Sequence, residues 1–377
     1  MKLKLIIVLF LFSALVYAQD KVKVTLIVDA PKLGDTSKVY VAGNITALGN
    51  WQPDKVKLNK EIGSKWGITF NADKGSRIEY KFTKGSWATE ALGDDSSVQG
   101  NKVLVPVKDT VVSIIVNNWR DNFNFKVKGQ ITGRVVFHKN FEAKGLKPRD
   151  IFVWLPPDYD AQKDKRYPVL YMNDGQNLID PRTSTNFIDW QIDETTDSLI
   201  RKGEVRPFII VGINNTADRS PEYNNTFLGK LYERLVVEKI KPFVDEHYRT
   251  LPDAANTAIG GSSMGGLISM IFAWDYPNVF SKAACFSPAF KFQFFDYAQV
   301  VEKDQSPKRN ITIYIDNGGV GLETELQPGV DEMIKVLEQK GYTEGKDLFF
   351  YFDKTAEHNE AAWAKRVWRP IKLFFGK

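Results

Sequence analysis

Residues 260–269 read GGSSMGGLIS, with four glycines around two adjacent serines, between the strand-like TAI at 257–259 and an apolar run that continues to Trp274. Gly261-Ser262-Ser263-Met264-Gly265 has the spacing G-x-S-x-G centred on Ser263, with a strand before it and a helix-length run after it. A serine lifted out of a sheet on so sharp a turn has a strained backbone, and side chains beside it would strike the flanking strand or helix. Glycine on both sides therefore has a physical job. Ser263 also sits at a helix N-terminus, where the backbone N–H of Met264 can hold an oxyanion. The stretch reads as a nucleophile elbow, the bland alternative being a Gly/Ser turn without chemistry.

The flanking sequence supplies the setting that such an elbow needs. From about Phe123 onward, strand-like runs DIFVWLP, YPVLYMND, FIIVGI, TAIGG and ITIYIDN alternate with helix-length runs such as LYERLVVEKIKPFVDEHY and GVDEMIKVLEQKGY. This alternation predicts an α/β domain over residues 126–377, a mostly parallel sheet covered by helices on both faces. The preceding text differs in rhythm. KVKVTLIV, SKVYVAG, RIEYKF and TVVSIIV are short alternating runs separated by Gly, Asn, Asp and Pro. They predict a small antiparallel β-sandwich over residues 19–121.

A serine nucleophile needs a base, and the chain has three histidines. His138 in GRVVFHKNF and His247 in VDEHYRT fall in an early strand and a helix end, where structural roles are expected. His358 lies in the loop TAEHNEAAW, after the last strand-like run and before a final helix, which suits the order serine, acid, histidine. The acid must come between the two. ITIYIDNGGVGLETELQPG offers Asp316 at a strand end and Glu323 seven residues later. Glu323 is preferred, because a carboxylate beyond the glycine loop has more freedom to reach a neighbouring loop. Asp316 would then shape the loop.

Composition excludes several function classes. The first 18 residues, MKLKLIIVLFLFSALVYA, have the basic start, apolar run and small-residue end of a cleaved signal peptide, and the run is too short to count as a membrane span. Export is therefore expected, with no integral membrane segment after cleavage. The formal net charge of +5, two units of which come from Lys2 and Lys4, is too balanced to imply nucleic acid. Cys285 in KAACFSPAF is the sole cysteine, so no intramolecular disulfide is expected, and its apolar context reads as a small buried hydrophobe. No metal or organic cofactor is implied. Arg219, Glu222 and Tyr223 in ADRSPEYNN follow a strand C-terminal end, the edge where α/β sheets carry their sites. They are candidates for a substrate pocket or, equally, for a structural salt bridge.

YPVLYMNDGQNLID, TAIGGSSMGGLIS, YIDNGGVGLE and EHNEAAWAKRVWRPIKLFF resemble the esterase D-like branch of the α/β-hydrolases, which includes feruloyl, acetyl-xylan and siderophore esterases. The resemblance covers about residues 126–377. It implies a triad of Ser263, Glu323 or Asp316, and His358, with a second oxyanion N–H from Gln176 or Asn177 after YMNDG. Extra residues before Glu323 depart from the shorter acid loop of many relatives.

The front segment is similar to a starch-binding module through VYVAGNITALGNWQPD, RIEYKFTKGSWATE and GNKVLVP. That similarity implies a sugar platform of Trp51 and Trp87 with Lys81 and Asn101 nearby, since a flat indole covers the C–H face of a sugar ring. Small sandwiches also need core aromatics, and some copies of the module have become spacers. Exposure of the two indoles separates these readings. Together the resemblances lead to an expected exported serine carboxylesterase acting on acetyl or feruloyl esters of carbohydrate. A siderophore or small-ester hydrolase with the sandwich as scaffold, and a non-catalytic glycan-binding protein, are the alternatives.

Overall fold

The computed structural model describes residues 20–94, 99–122, 128–185, 187–292 and 295–377. The chain divides into two units, Met1–Phe123 and Asn124–Lys377. The expected signal segment 1–18 and the centre of the expected junction lie outside the described residues.

In the front unit, period-two alternation through KVKVTLIVD turns Val22, Val24, Leu26 and Val28 inward. This strand, Lys21–Asp29, pairs antiparallel with Lys65–Asp73 and parallel with Thr110–Ile115. Asn59–Lys60 completes that four-stranded sheet. A second sheet orders Val56–Lys57, Tyr40–Gly43, Ile78–Thr83 and Lys102–Leu104, all antiparallel. Leu26, Val28, Val41, Trp66, Phe82 and Trp119 share one buried cluster. The parallel pair could not be read from the alternation, which is the same for either strand direction.

The second unit is built on eight strands: β1 Arg134–Phe141, β2 Arg149–Leu155, β3 Val169–Asn173, β4 Ile209–Ile213, β5 Thr257–Ser262, β6 Lys282–Phe286, β7 Thr312–Gly318 and β8 Leu348–Asp353. They lie in the order β1-β2-β4-β3-β5-β6-β7-β8. The pairs β1–β2 and β2–β4 are antiparallel, and the rest are parallel. Every residue of β3, β4 and β5 is buried, as strands covered on both faces require. Alternate residues feed two cores. Val169, Tyr171 and Ile259 belong to one, while Leu170, Met172 and Ala258 belong to the other. Full burial of one such aliphatic side chain contributes about 1.5–3 kcal/mol.

Parallel strands put their C-terminal ends on one edge, so the segments after β3, β5, β6, β7 and β8 emerge on the same side. The chain order reverses at β3, whose neighbours are β4 and β5. Ligand sites in open α/β sheets form at such a reversal. Helices follow three of these strands: α1 Met264–Asp275 after β5, α2 Leu322–Gln339 after β7, and α3 Glu360–Ala364 and α4 Trp368–Phe375 after β8. Helix α1 is buried from Gly265 to Trp274, so it is apolar all round, not amphipathic. Helix α2 starts seven residues before the GVDEMIKVLEQKGY run that announced it, and it contains Pro328. ELQPG reads as a loop because proline removes a helical N–H, but burial of Leu326 and Val330 carries the helix through it.

Candidate active site

Ser263 stands between β5 and α1 with φ 58° and ψ −122°, a left-handed conformation that side chains rarely adopt. Its N–H donates to Phe286 O at 2.9 Å, and its carbonyl accepts from Leu267 and Ala289 at 3.0 and 3.1 Å. The glycines around it have no room for side chains. A Cβ on Gly261 would lie 2.8 Å from the Gly265 carbonyl oxygen, and one on Gly265 would lie 3.0 Å from Asp174 Oδ2. Met264 is the first residue of α1, so its N–H belongs to the unsatisfied end of that helix.

His358 follows β8, and Glu323 lies in the first turn of α2. His358 Nδ1 is 3.4 Å from Glu323 Oε1, an ion-pair distance longer than an ordinary hydrogen bond. The imidazole stands edge-on to Trp363, with centroids 5.0 Å apart. Glu323 is wholly buried. Burial acts to raise its carboxyl, but the interaction with His358 and bonds from Ser287 Oγ at 2.6 Å and Gly318 N–H at 3.1 Å outweigh it and hold the pKa below the usual range. Asp316, two residues before the end of β7, faces other partners. Arg366 Nη2 donates to its Oδ1 at 3.1 Å and Tyr314 Oη to its Oδ2 at 2.9 Å. Burial pushes its carboxyl up to about 6 against the pull of Arg366.

After β3 the chain turns through Asp174, at φ 59°, into a short 3-10 turn, Gly175–Asn177. The Asn177 N–H donates to Asp174 O at 2.9 Å. The Gln176 side-chain Oε1 accepts from Asn215 N–H at 3.2 Å. The Asn177 side chain bridges Glu360 and Thr185.

Of the three pocket candidates, only Arg219 keeps exposed surface. Its guanidinium grips Asp174 with two bonds, of 2.8 and 2.7 Å, and reaches Ser262 O at 3.3 Å. Glu222 and Tyr223 are fully buried, which leaves them no face for a substrate. Glu222 forms the buried pair with Arg149 at 2.9 and 2.8 Å, the salt-bridge alternative. The Tyr223 hydroxyl accepts from the Asp174 N–H at 3.2 Å. Together these groups brace the turn that faces the elbow.

Reading residues in isolation missed Asp174, Ser287, Trp363 and Arg366. None lies in a spacing that marks chemistry, although Asp174 follows the strand YPVLYMN and a strand end is a place to look. His138 Nε2 meets Tyr248 Oη at 2.6 Å, and His247 Nδ1 meets Phe243 O at 2.8 Å. Among the described residues, Asp189, Asp193 and Glu194 bring carboxylate oxygens within 4.8 Å of one another. Burial, with a bond to Glu194, pushes the Asp193 carboxyl well above the carboxylate range. Cys285 is buried.

In the front unit Trp51 and Trp87 are both half-buried. Their ring centroids are 6.4 Å apart and their planes 41° apart. Trp51 sits at φ 63°. The other two sugar candidates are tied to acids: Lys81 Nζ donates to Glu90 at 3.0 Å and Asn101 Nδ2 to Glu79 at 2.8 Å.

Comparison with known proteins agrees with this architecture. Residues 21–105 match the family described as "Starch binding domain". A stretch of 200 residues is 25% identical to the endo-1,4-beta-xylanase/feruloyl esterase of Xylanibacter ruminicola, covering 50% of this chain and 25% of that protein. The chain thus spans about a quarter of that relative's length. A solved ferulic acid esterase superposes with a TM-score of 0.54 at 20% identity, over 64% of this chain and 98% of the other. The enterochelin esterase of Shigella flexneri does so with 0.53 at 12% identity, over 94% and 93%. At such identities the two structures speak for the fold. Residues 146–370, more than half of the chain, match the family described as "Putative esterase", and the protein therefore belongs to the Esterase family of carboxylic ester hydrolases, with a starch-binding-type domain in front.

Proposed function

We propose that the protein is an exported serine carboxylesterase that cleaves acetyl or feruloyl esters attached to carbohydrate. The observation that carries the reading is the approach of His358 Nδ1 to buried Glu323, on the same sheet edge as a serine held at positive φ. With Nδ1 turned to the carboxylate, Nε2 is the ring nitrogen left to take the Ser263 proton as the hydroxyl attacks the ester carbonyl. The N–H groups of Met264 and Gln176 hold the oxyanion. His358 then protonates the departing alcohol, and water repeats the cycle on the acyl-enzyme. Glu323 keeps the imidazole in the required tautomer and stays ionised throughout. The leader-like first 18 residues support export. The starch-binding match and the tilted, half-exposed Trp51 and Trp87 pair support a polysaccharide-borne substrate.

One experiment tests both halves. Wild type, Ser263→Ala and the double variant Trp51→Ala/Trp87→Ala are assayed on 4-nitrophenyl acetate, a catecholate-siderophore ester, and acetylated and feruloylated polysaccharides. Ser263→Ala is expected to lose at least about a thousandfold on every ester it cleaves, because triad members act as a unit. The double variant is expected to keep its rate on 4-nitrophenyl acetate and to lose rate on the insoluble polysaccharide. Equal rates of wild type and the double variant on polysaccharide, with faster cleavage of the siderophore ester, would transfer the function to small esters.

A further inference from the structure

Two carboxylates, an arginine and a histidine lie close together behind the elbow, and the Ser287 hydroxyl stands among them. Ser287 follows β6 and is fully buried. Its Oγ accepts from Trp363 Nε1 at 2.9 Å and from Arg366 Nη2 at 3.1 Å, and donates to Glu323 Oε1 at 2.6 Å. The direction of the last bond is forced. Indole and guanidinium nitrogens only donate, so they fill the two lone pairs of the hydroxyl, and its one proton is left for the carboxylate. Arg366 meanwhile binds Asp316 at 3.1 Å. The backbone of Ser287 is held at φ 42°, a strained value that persists only where its surroundings impose it. Its N–H donates to Asp316 O at 2.9 Å.

We propose that Ser287 is a positioning residue whose hydroxyl separates Arg366 from Glu323 and so reserves that carboxylate for His358. The proposal rests on the triad reading given above. Arg366 is buried and carries a full charge, and the Glu323 oxygen that faces His358 is also the oxygen that takes the Ser287 proton. Without the hydroxyl, Trp363 Nε1 loses its acceptor, Arg366 Nη2 keeps only Asp316 Oδ1, and the Glu323 Oε1 that the hydroxyl held at 2.6 Å is left as a free acceptor beside both donors. A carboxylate drawn toward Arg366 is withdrawn from His358. The arrangement assigns each acid one basic partner, Asp316 to Arg366 and Glu323 to His358, and explains why both acids are buried in one place. Other titratable groups that interact with it are Tyr314 on β7, bonded to Asp316, Cys285 on β6, which Asp316 helps to raise, Asp353 on β8, which Arg366 helps to lower, and Arg369 on α4 beside Tyr314.

The test is a comparison of Ser287→Ala and Ser287→Gly with wild type on 4-nitrophenyl acetate. Glycine relieves the positive φ and alanine does not, so the two variants should differ in melting temperature while both lack the hydroxyl. Both are expected to lose kcat by about tenfold to a hundredfold, the scale of a catalytic group misplaced by an ångström, with KM little changed. In both, the acid limb of the kcat/KM profile should move to lower pH, because an imidazolium deprived of its carboxylate loses its proton more readily. A kcat loss that follows melting temperature from one variant to the other, or an acid limb that stays in place, would overturn the proposal. Ser263→Ala run in parallel keeps the two ideas apart. If it is inactive while both Ser287 variants match wild type, the triad stands and the positioning role falls.

Discussion

Asp316 and Glu323 are seven residues apart, equally acidic on paper and both fully buried, yet their surroundings divide them. Glu323 has a histidine, a hydroxyl and a backbone N–H around it, and these outweigh its burial. Asp316 has an arginine and a tyrosine, and its carboxyl still rises to about 6. The two acids should therefore fail differently. Glu323→Gln is expected to lower kcat on the order of a thousandfold, because an amide leaves the imidazole in the wrong tautomer. Asp316→Asn should act mainly on stability, by about 3–5 kcal/mol, through the Arg366 charge left unpaired in the interior. Steady-state rates set beside urea denaturation curves separate the two. The reverse ranking of rates would move the triad acid to Asp316.

Elements bring these residues together by their ends. The elbow exists because β5 runs straight into α1 with a single residue, Ser263, at φ 58° between them. The close approach of Gly261 to the Gly265 carbonyl shows how little slack the turn has. Gly261→Ala places a carbon 2.8 Å from a backbone oxygen that cannot swing aside. It is expected to cost about 1–3 kcal/mol, as overpacking does, and to lower turnover by displacing Ser263. A urea midpoint equal to wild type would show that the elbow relaxes freely. Helix α2 makes the same point from the other side. By starting at Leu322 it fixes Glu323 within a helical turn, where the sequence suggested a carboxylate beyond the glycine loop with freedom to reach a neighbouring one.

Across the whole molecule, buried carboxyls with raised pKa values set a direction for the pH dependence of stability. Burial lifts Glu233 to about 7 against the pull of Lys230, and Asp189 and Asp316 to about 6; Asp193 rises as well. Each of these groups ionises at lower pH in the unfolded chain. Its contribution is therefore fully present below the unfolded value and is lost as pH rises through the folded one. Depressed carboxyls such as Glu323 and Asp296 act in the opposite sense, at more acid pH. His138, lowered by burial, opposes the trend as a single group. The melting temperature is expected to fall between about pH 5 and about pH 8, and Glu233→Gln should flatten part of that slope. A melting temperature that rises over this window would contradict the assignment.

The sequence by itself determined the fold class, because hydrophobic periodicity and turn chemistry are local: alternating runs wrote the sandwich, and strand-helix alternation wrote the parallel sheet. It also located the elbow, since G-x-S-x-G between a strand and a helix answers a local steric demand, and it placed His358 in the final loop by chain order. Strand direction at Thr110–Ile115 was not legible, because a period of two is blind to direction. Nor was the early start of α2, where packing of Leu326 and Val330 overrides a proline. Above all, the tertiary structure decided which charges face each other. Glu222 and Arg149 are 73 residues apart and pair in the interior, so an acid that read equally as a pocket group or a structural salt bridge is spent within the fold. Ser287 and Arg366 are 79 residues apart and meet only when β6 and the segment between α3 and α4 pack together. Electrostatic partnership depends on distances of a few ångströms in space, and no spacing along the chain encodes it.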